Sequence, residues 1–164
     1  TRQFLDPDLL GKVTSVIADC RLPPACLTLE ITEGSAMIDP DASLHVLDSL
    51  RRLGIHIAID DFGTGYSSLS YLKRIPADTI KIDKAFVDGV AEESDDRAIV
   101  RSIIALAKAL DKRIVAEGIE TVEQRDTLRR QGCTLGQGYL FSRPLPADEF
   151  EALLAVRAPE ASVP

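Results

Sequence analysis

Residues 55–69, I-H-I-A-I-D-D-F-G-T-G-Y-S-S-L, decide how the rest of the chain can be arranged. Isoleucines alternate at positions 55, 57 and 59, which predicts a half-buried β-strand. The strand ends at two adjacent carboxylates, Asp60 and Asp61, and two glycines then allow a loop with unusual backbone angles. Neighbouring acids repel each other unless a cation lies between them. We therefore predict a strand that carries a cation-binding acid pair at its C-terminal end.

The composition indicates an ordinary globular domain and excludes a general nucleic-acid surface. The 164 residues are 45% hydrophobic and 27% charged, which is enough to bury a core. The net charge is −7, so no broad basic surface is available to hold DNA. A ligand that carries phosphate would need a metal ion to supply much of the positive charge.

The cysteines and the hydropathy pattern predict a cytoplasmic chain. Cys20, Cys26 and Cys133 are few and lack the spacing of a zinc site, which is typical of reduced thiols. No stretch approaches the roughly 20 apolar residues of a membrane span, and no signal-peptide pattern opens the chain. We expect no membrane span in this segment.

Helical and strand patterns alternate along the chain. Helices are predicted at residues 6–20, 39–54, 67–74, 95–110, 121–132 and 146–154, and strands at residues 27–32, 55–61, 79–83, 113–117 and within 133–141. N-caps are predicted at Asp6, with Pro7 as first helical residue, at Asp39, and at Thr121 in a capping box with Gln124. The alternation predicts a parallel sheet with crossover helices, either an open doubly wound sheet or a (β/α) barrel.

The two faces of the predicted strands differ, and this favours the barrel. One face is apolar throughout, while the other carries Glu30, Asp60, Lys81, Asp83 and Glu117 late in successive strands. Sheets covered by helices on both faces are apolar on both faces, whereas barrel enzymes place their chemistry at the C-terminal ends of the strands. We therefore predict an α/β fold of the TIM-barrel type, incomplete, with about five strands and six helices where a full barrel has eight of each.

The same residues predict a metal site. Glu30, Asp60, Asp61 and Glu117 would together offer oxygen ligands for hard divalent cations, with Asp83 as a further candidate. Asp60 and Asp61 could hold two ions about 4 Å apart, an arrangement used for phosphodiester cleavage. Any single acid is more simply an exposed residue paired with an arginine, but the whole series at matching strand positions favours the metal site.

Five motifs carry a resemblance to a known family. They are L-E-I-T-E at 29–33, D-D-F-G-T-G-Y-S-S-L at 60–69, I-K-I-D at 80–83, A-E-G-I-E at 116–120 and Q-G-Y-L-F at 137–141. In this order they resemble the EAL domain family of bacterial cyclic di-GMP phosphodiesterases. The resemblance implies a modified TIM barrel that opens cyclic di-GMP to linear pGpG with Mg²⁺ or Mn²⁺. It covers residues 1–156 and leaves 157–164 as a flexible tail.

The resemblance also implies roles for individual residues. Glu30 and Asp60 resemble metal ligands, Asp61 a ligand of the second ion, Glu117 a further ligand or water-activating residue, and Lys81 a neighbour of the attacking water and scissile phosphate. Glu33 resembles the anchor of the loop after Asp61, which in the family links substrate, metals and dimerisation. The remaining supporting or substrate-binding positions are Phe62, Gly63, Thr64, Gly65, Asp83, Glu120 and Gln137.

The chain departs from the family pattern at its front. The Glu-Ala-Leu signature strand and the Asn of the second strand, both metal ligands in the family, would fall before Thr1. We therefore expect roughly the first quarter to third of the barrel to be missing and this fragment to be poorly active by itself. An open sheet edge further predicts a homodimer, an unstable fragment or one part of a longer protein fused to sensor or GGDEF-type domains.

Three functions are compatible with these residues. The first is metal-dependent hydrolysis of cyclic di-GMP. The second is a receptor or interaction module that binds cyclic di-GMP without hydrolysis, as family members with degenerate sites do. The third is an unrelated metal-dependent barrel such as an aldolase. The first is favoured because all the acids of the observed region, Lys81 and the glycine loop are present.

Overall fold

Five parallel strands form the centre of the computed structural model, which describes residue 6 and residues 8–36, 38–65 and 69–157. Each strand pairs with the next one along the chain, and the strands are β1 (Thr28–Thr32), β2 (His56–Phe62), β3 (Thr79–Ile82), β4 (Arg113–Ala116) and β5 (Leu135–Gly136). The predicted α/β class with a parallel sheet is confirmed. Within the described residues β1 and β5 are the two edges, so the barrel is not closed.

Eight α-helices and one 3₁₀ turn connect the strands in the described ranges. They are α1 (Leu9–Cys20), the 3₁₀ turn (Pro24–Cys26), α2 (Glu33–Ala36), α3 (Pro40–Arg52), α4 (Leu69–Arg74), α5 (Lys84–Asp88), α6 (Ser94–Ala109), α7 (Val122–Gln131) and α8 (Ala147–Arg157). The described residues contain two helices more than the about six that were predicted, and the two short helices α2 and α5, with four and five residues, account for the difference. Such short helices show no hydrophobic periodicity. None of the described helices is long and apolar enough to cross a membrane.

The predicted helix starts are right at two caps and wrong at one. The Asp39 side chain accepts the N–H of Ala42 at 3.1 Å, and Thr121 forms the predicted capping box with Gln124. The first helix begins at Leu9 rather than beside Asp6, because Asp6 bonds the N–H of Asp8 in a turn before the helix. Pro7, the predicted first helical residue, lies outside the described residues. The last strand is also shorter than predicted, since β5 covers only residues 135–136.

The isoleucine face of the sheet forms the core. Ile57, Ile59, Ile80 and Ile82 are fully buried, and α3 and α6 pack against β2 and β3 respectively. Burying each such side chain stabilises the fold by about 1.5–3 kcal/mol. Ile59 pairs in register with Ile31 and Ile80, and a slip of one residue would turn these apolar side chains to the other face. The register therefore also determines that the acidic residues share the opposite face.

The end of β2 departs from regular strand geometry. Adjacent residues in a strand normally point to opposite faces, so Asp60 and Asp61 should diverge. Instead, Asp61 has a positive φ of 52°, and the β2–β3 register shifts between Ile59 and Phe62. Such an irregularity redirects a side chain, and aspartate tolerates the left-handed conformation better than most residues. Gly63 follows with a φ of 102°.

Asp78 joins three strands at the opposite end of the sheet. Its carboxylate accepts the N–H of Ile57 at 3.0 Å and contacts His56 Nδ1 at 3.3 Å, while an Arg51 nitrogen lies 3.7 Å away. Its backbone bonds Ile57 and Arg113. Burial alone would raise the pKa of Asp78, but the hydrogen bonds from Ile57 and His56 and the charge of Arg51 outweigh it and lower the pKa.

We expect Asp78→Ala to lower the free energy of unfolding by about 1–3 kcal/mol at pH 7, because a buried N–H loses its acceptor. Since the pKa of Asp78 is lowered in the folded state, the stabilisation by its charge is present above the unfolded pKa of about 3.9. It is lost as the pH falls through the folded pKa. Urea unfolding should therefore show a difference between the two proteins that shrinks from pH 7 towards pH 3. Asp48→Ala, at an exposed position of α3, is the control; a difference independent of pH would contradict the assignment.

We expect Gly63→Ala to destabilise the protein by about 1–3 kcal/mol, since the backbone is left-handed and the new Cβ would lie 2.8 Å from the Phe86 ring. The matched control is Gly34→Ala in α2, where no atom lies within 4 Å of the added Cβ. Urea unfolding of the three proteins measures the effect. Equal free energies for both variants would refute the requirement for glycine at position 63.

Candidate metal centre

The ammonium group of Lys81 lies at the centre of the acidic face. It projects from β3, and its side chain is only 6% exposed. Its Nζ lies 2.7 Å from Glu30 Oε2 of β1, 3.0 Å from Asp60 Oδ1 of β2 and 2.6 Å from Oε1 of Glu117, which follows β4. The structure thus brings together four of the predicted residues from four neighbouring strands. Burial alone would lower the pKa of Lys81, but the surrounding carboxylates of Glu117, Glu30 and Asp60 raise the pKa, so the ammonium stays protonated.

Asp60, Asp61 and Glu117 form the tightest group of acids in the described residues. Each contributes a carboxylate oxygen, and these oxygens lie within 4.8 Å of one another. Burial, a hydrogen bond with Asp83 and the charge of Asp60 raise the pKa of Asp61. Burial also raises the pKa of Glu117, against the lowering effect of Lys81 and with a contribution from Asp60. Burial and, to a smaller extent, neighbouring negative charge thus disfavour the charged form of these carboxylates, and a bound cation would favour it.

These residues fit a hard divalent cation. Asp60 Oδ1 is buried and has no hydrogen-bond partner among the described residues, although Lys81 Nζ lies 3.0 Å away. A ligand set made only of carboxylate oxygens suits Mg²⁺ or Mn²⁺ rather than softer metals. Glu30 differs from the other three acids: it contacts Lys81 but its side chain is 49% exposed and lies outside the group of close oxygens. Its role as a metal ligand stays a prediction.

Glu33 is held against the loop that follows Asp61. Glu33 is 5% exposed at the start of α2, and its Oε2 accepts the N–H of Gly63 at 3.1 Å. A Cβ at Gly65 would lie 2.8 Å from Glu33 Oε1, so glycine allows the close approach. Thr64 donates its hydroxyl to the carbonyl of Asp61 at 2.8 Å and closes the turn. The predicted loop anchor is therefore in contact with the loop.

Of the other predicted site residues, some contact the acidic group and others lie away from it. Gln137 donates its amide to Glu117 Oε1 at 2.5 Å. Asp83 caps α5 through the N–H of Ala85 at 2.6 Å, and its carboxylate raises the pKa of Asp61. Phe62 is buried in the hydrophobic core. Glu120 forms an ion pair with Lys84 and is not one of the close acids. The supporting roles of these residues stay predictions.

A cleft of about 550 Å³ opens beside Glu117 and Gln137. Residues that the sequence analysis did not single out line it, namely Lys84, Tyr139 and Arg143, and the Arg143 guanidinium lies 4.5 Å from the centre of the Tyr139 ring. These side chains place positive charge next to the acids in a chain that is acidic overall. For these three residues, the position of Tyr139 within the Q-G-Y motif was the sequence signal available.

Comparisons with known proteins agree with this geometry. The sequence profile described as EAL domain matches residues 1–144. The bifunctional diguanylate cyclase/cyclic di-GMP phosphodiesterase MucR of Pseudomonas aeruginosa is 49% identical over 93% of this chain. A structure of the MucR phosphodiesterase in complex with c-di-GMP has a TM-score of 0.87, with 90% of this chain and 60% of that chain aligned. A manganese and cyclic di-GMP complex of Klebsiella pneumoniae BlrP1 is 38% identical, with a TM-score of 0.80 over 87% of this chain and 36% of that chain.

The match extends over nearly the whole chain but over a small part of its relatives. The chain spans about a fifth of the length of MucR, 22%, and 60% of the MucR phosphodiesterase structure. The profile match, the 49% identity and the TM-score of 0.87 have one explanation. The chain belongs to the EAL domain family.

Proposed function

We propose that this chain supplies the catalytic acids of a metal-dependent phosphodiesterase that opens cyclic di-GMP to linear pGpG. The observation that carries the proposal is the group of carboxylates from Asp60, Asp61 and Glu117 beside the buried ammonium of Lys81. Mg²⁺ or Mn²⁺ would be held by these three side chains, with Glu30 as a further ligand from β1.

The relatives support the choice of substrate. MucR carries cyclic di-GMP phosphodiesterase in its name, its phosphodiesterase structure is a c-di-GMP complex, and a BlrP1 structure contains both manganese and the dinucleotide. Those ligands belong to those proteins. This chain retains the acids, the lysine and the glycine loop of the family motifs, which supports the same substrate class here.

Each side chain contributes to the proposed reaction through its position. A bound divalent cation would polarise the phosphodiester and lower the pKa of a water molecule. Lys81 provides a positive charge that can offset negative charge on the phosphate as the water attacks. Gln137 orients the Glu117 carboxylate through its 2.5 Å hydrogen bond, and Glu33 holds the loop that follows Asp61. Lys84 and Arg143, in the adjoining cleft, can contact the rest of the dinucleotide.

The proposal extends to the setting of the domain. We place the EAL unit at residues 1–156 and propose that it acts in the cytoplasm as a homodimer together with cyclase or sensor domains. The name of MucR, which couples a diguanylate cyclase to a phosphodiesterase, supports this combination. Analytical ultracentrifugation with and without cyclic di-GMP tests the dimer, and a monomer under both conditions would contradict it.

The test of function uses this chain alone and, in parallel, this chain fused to the segment of the MucR phosphodiesterase that it does not match. With cyclic di-GMP and Mg²⁺ or Mn²⁺, ion-exchange chromatography should detect linear pGpG. Asp60→Asn and Asp61→Asn should each lower the rate by about a hundredfold or more, since each removes a charged ligand next to the reacting phosphate. Asp48→Asn, on the exposed face of α3, should retain the rate.

Two outcomes would overturn parts of this proposal. Full cleavage by Asp60→Asn would refute the metal assignment. Binding of cyclic di-GMP by a folded, metal-loaded protein without any pGpG would favour the non-hydrolytic receptor instead. Circular dichroism of each variant separates loss of activity from loss of folding.

A further inference from the structure

We propose that the Lys81 ammonium competes with the divalent cation for the carboxylates of this site and so sets how weakly the site binds metal. The inference rests on the metal centre of the proposed function and concerns a property that the reaction itself does not require. Its basis is that Lys81 contacts two of the three acids that form the close oxygen group, Asp60 and Glu117, and also Glu30.

The position of Lys81 on a buried central strand keeps its ammonium close to the acids. Every residue of β3 is buried, and β3 pairs with β2 on one side and β4 on the other. The Lys81 side chain is 6% exposed, so its ammonium has little access to bulk water. A cation held by Asp60 and Glu117 must therefore share these carboxylates with a positive charge that remains nearby.

Lys81 contacts oxygens through which Asp60 and Glu117 could bind a metal ion. Asp60 Oδ1 is buried without a hydrogen-bond partner in the described ranges, and the nearest cation is Lys81 Nζ at 3.0 Å. Glu117 Oε1 receives both Lys81 Nζ at 2.6 Å and the Gln137 amide at 2.5 Å, so its lone pairs are already engaged. Metal binding through these atoms would replace contacts of Lys81 Nζ with the carboxylates while its charge stays nearby.

Glu30 is the partner that Lys81 can lose most easily. Its side chain is 49% exposed, whereas the side chains of Asp60 and Glu117 are 22% and 15% exposed. An exposed carboxylate regains water when its ion pair breaks, so the loss is small. We expect the Lys81–Glu30 contact to be the one that changes when the metal binds.

The opposite role for Lys81 makes the opposite prediction. If Lys81 mainly held the acids together for the metal, its removal would weaken metal binding because the acids would separate. If its charge competes, removal strengthens binding, since like charges a few ångströms apart repel strongly at a poorly hydrated site. The sign of the change in Mn²⁺ affinity therefore distinguishes competition from organisation.

The experiment is a Mn²⁺ titration of this chain, with free Mn²⁺ measured by electron paramagnetic resonance. We expect the Kd of Lys81→Met to be lower than that of the wild type by about tenfold or more, since a full positive charge is removed next to the ion. Lys81→Gln should show the same direction and serves if the methionine variant does not fold. Lys108→Met removes the same charge from the exposed face of α6 and should leave the Kd within about twofold.

Thermal unfolding provides a second readout. In EDTA the unfolding midpoint of Lys81→Met should lie below that of the wild type, because the crowded acids lose their counter-charge. Its rise on addition of Mn²⁺ should exceed the wild-type rise, since ligand stabilisation grows as Kd falls. In the wild-type protein, the side-chain ammonium NMR signal of Lys81 should shift with Mg²⁺ at the midpoint of metal binding. No shift would contradict the inference.

The outcomes separate this inference from the proposed function. An unchanged or higher Kd in folded Lys81→Met and Lys81→Gln overturns competition, while loss of Mn²⁺ binding in Asp60→Asn still supports the metal centre. Wild-type Mn²⁺ affinity in Asp60→Asn overturns the metal centre itself. If neither the wild type nor the two Lys81 variants bind Mn²⁺, both the competition by Lys81 and the metal centre are refuted. Carboxylates freed from Lys81 should bind Mn²⁺ if they form a metal centre.

Discussion

The ion pairs of Lys81 are the interaction on which the functional face of this sheet depends. An ammonium that is almost completely buried requires compensation, and three carboxylates from neighbouring strands provide it within 3.0 Å. Removal of one partner from a buried ion pair typically costs about 3–5 kcal/mol. Strand order and register are therefore coupled to the charge balance, since a slip at β2 or β3 would separate Lys81 from Asp60.

The two ends of the sheet differ in how their charged residues affect stability. At the end that carries Asp60, Asp61 and Glu117, burial and neighbouring acids raise the pKa values of Asp61 and Glu117, an arrangement that disfavours the fold but attracts a cation. At the other end, Asp78 has a lowered pKa and joins β2, β3 and β4 through its side chain and backbone. Stability at one end can thus offset the cost of the acidic site at the other.

Much of the fold could be predicted because it depends on local periodicity. Alternation along residues 55–61 predicted β2 and its buried face, and the isoleucines of β3 predicted the strand beside it. The caps at Asp39 and Thr121 could be predicted because each side chain accepts a backbone N–H three residues further along the chain. The short helices α2 and α5 could not be predicted, since four or five residues give no period. The predicted start of α1 was wrong because the Asp6 side chain bonds the N–H of Asp8 in a turn instead of capping the helix.

For the site, the sequence by itself determined which side chains share one end of the sheet. Residues at even spacing share a face and the C-terminal ends of parallel strands converge, so strand patterns alone are enough to group Glu30, Asp60, Lys81 and Glu117. Only the tertiary structure decided that Asp61 turns back to join Asp60, that Glu120 pairs with Lys84, and that Lys81 contacts three acids at once. These features depend on a left-handed backbone and on distances between segments remote in sequence, which no local pattern encodes.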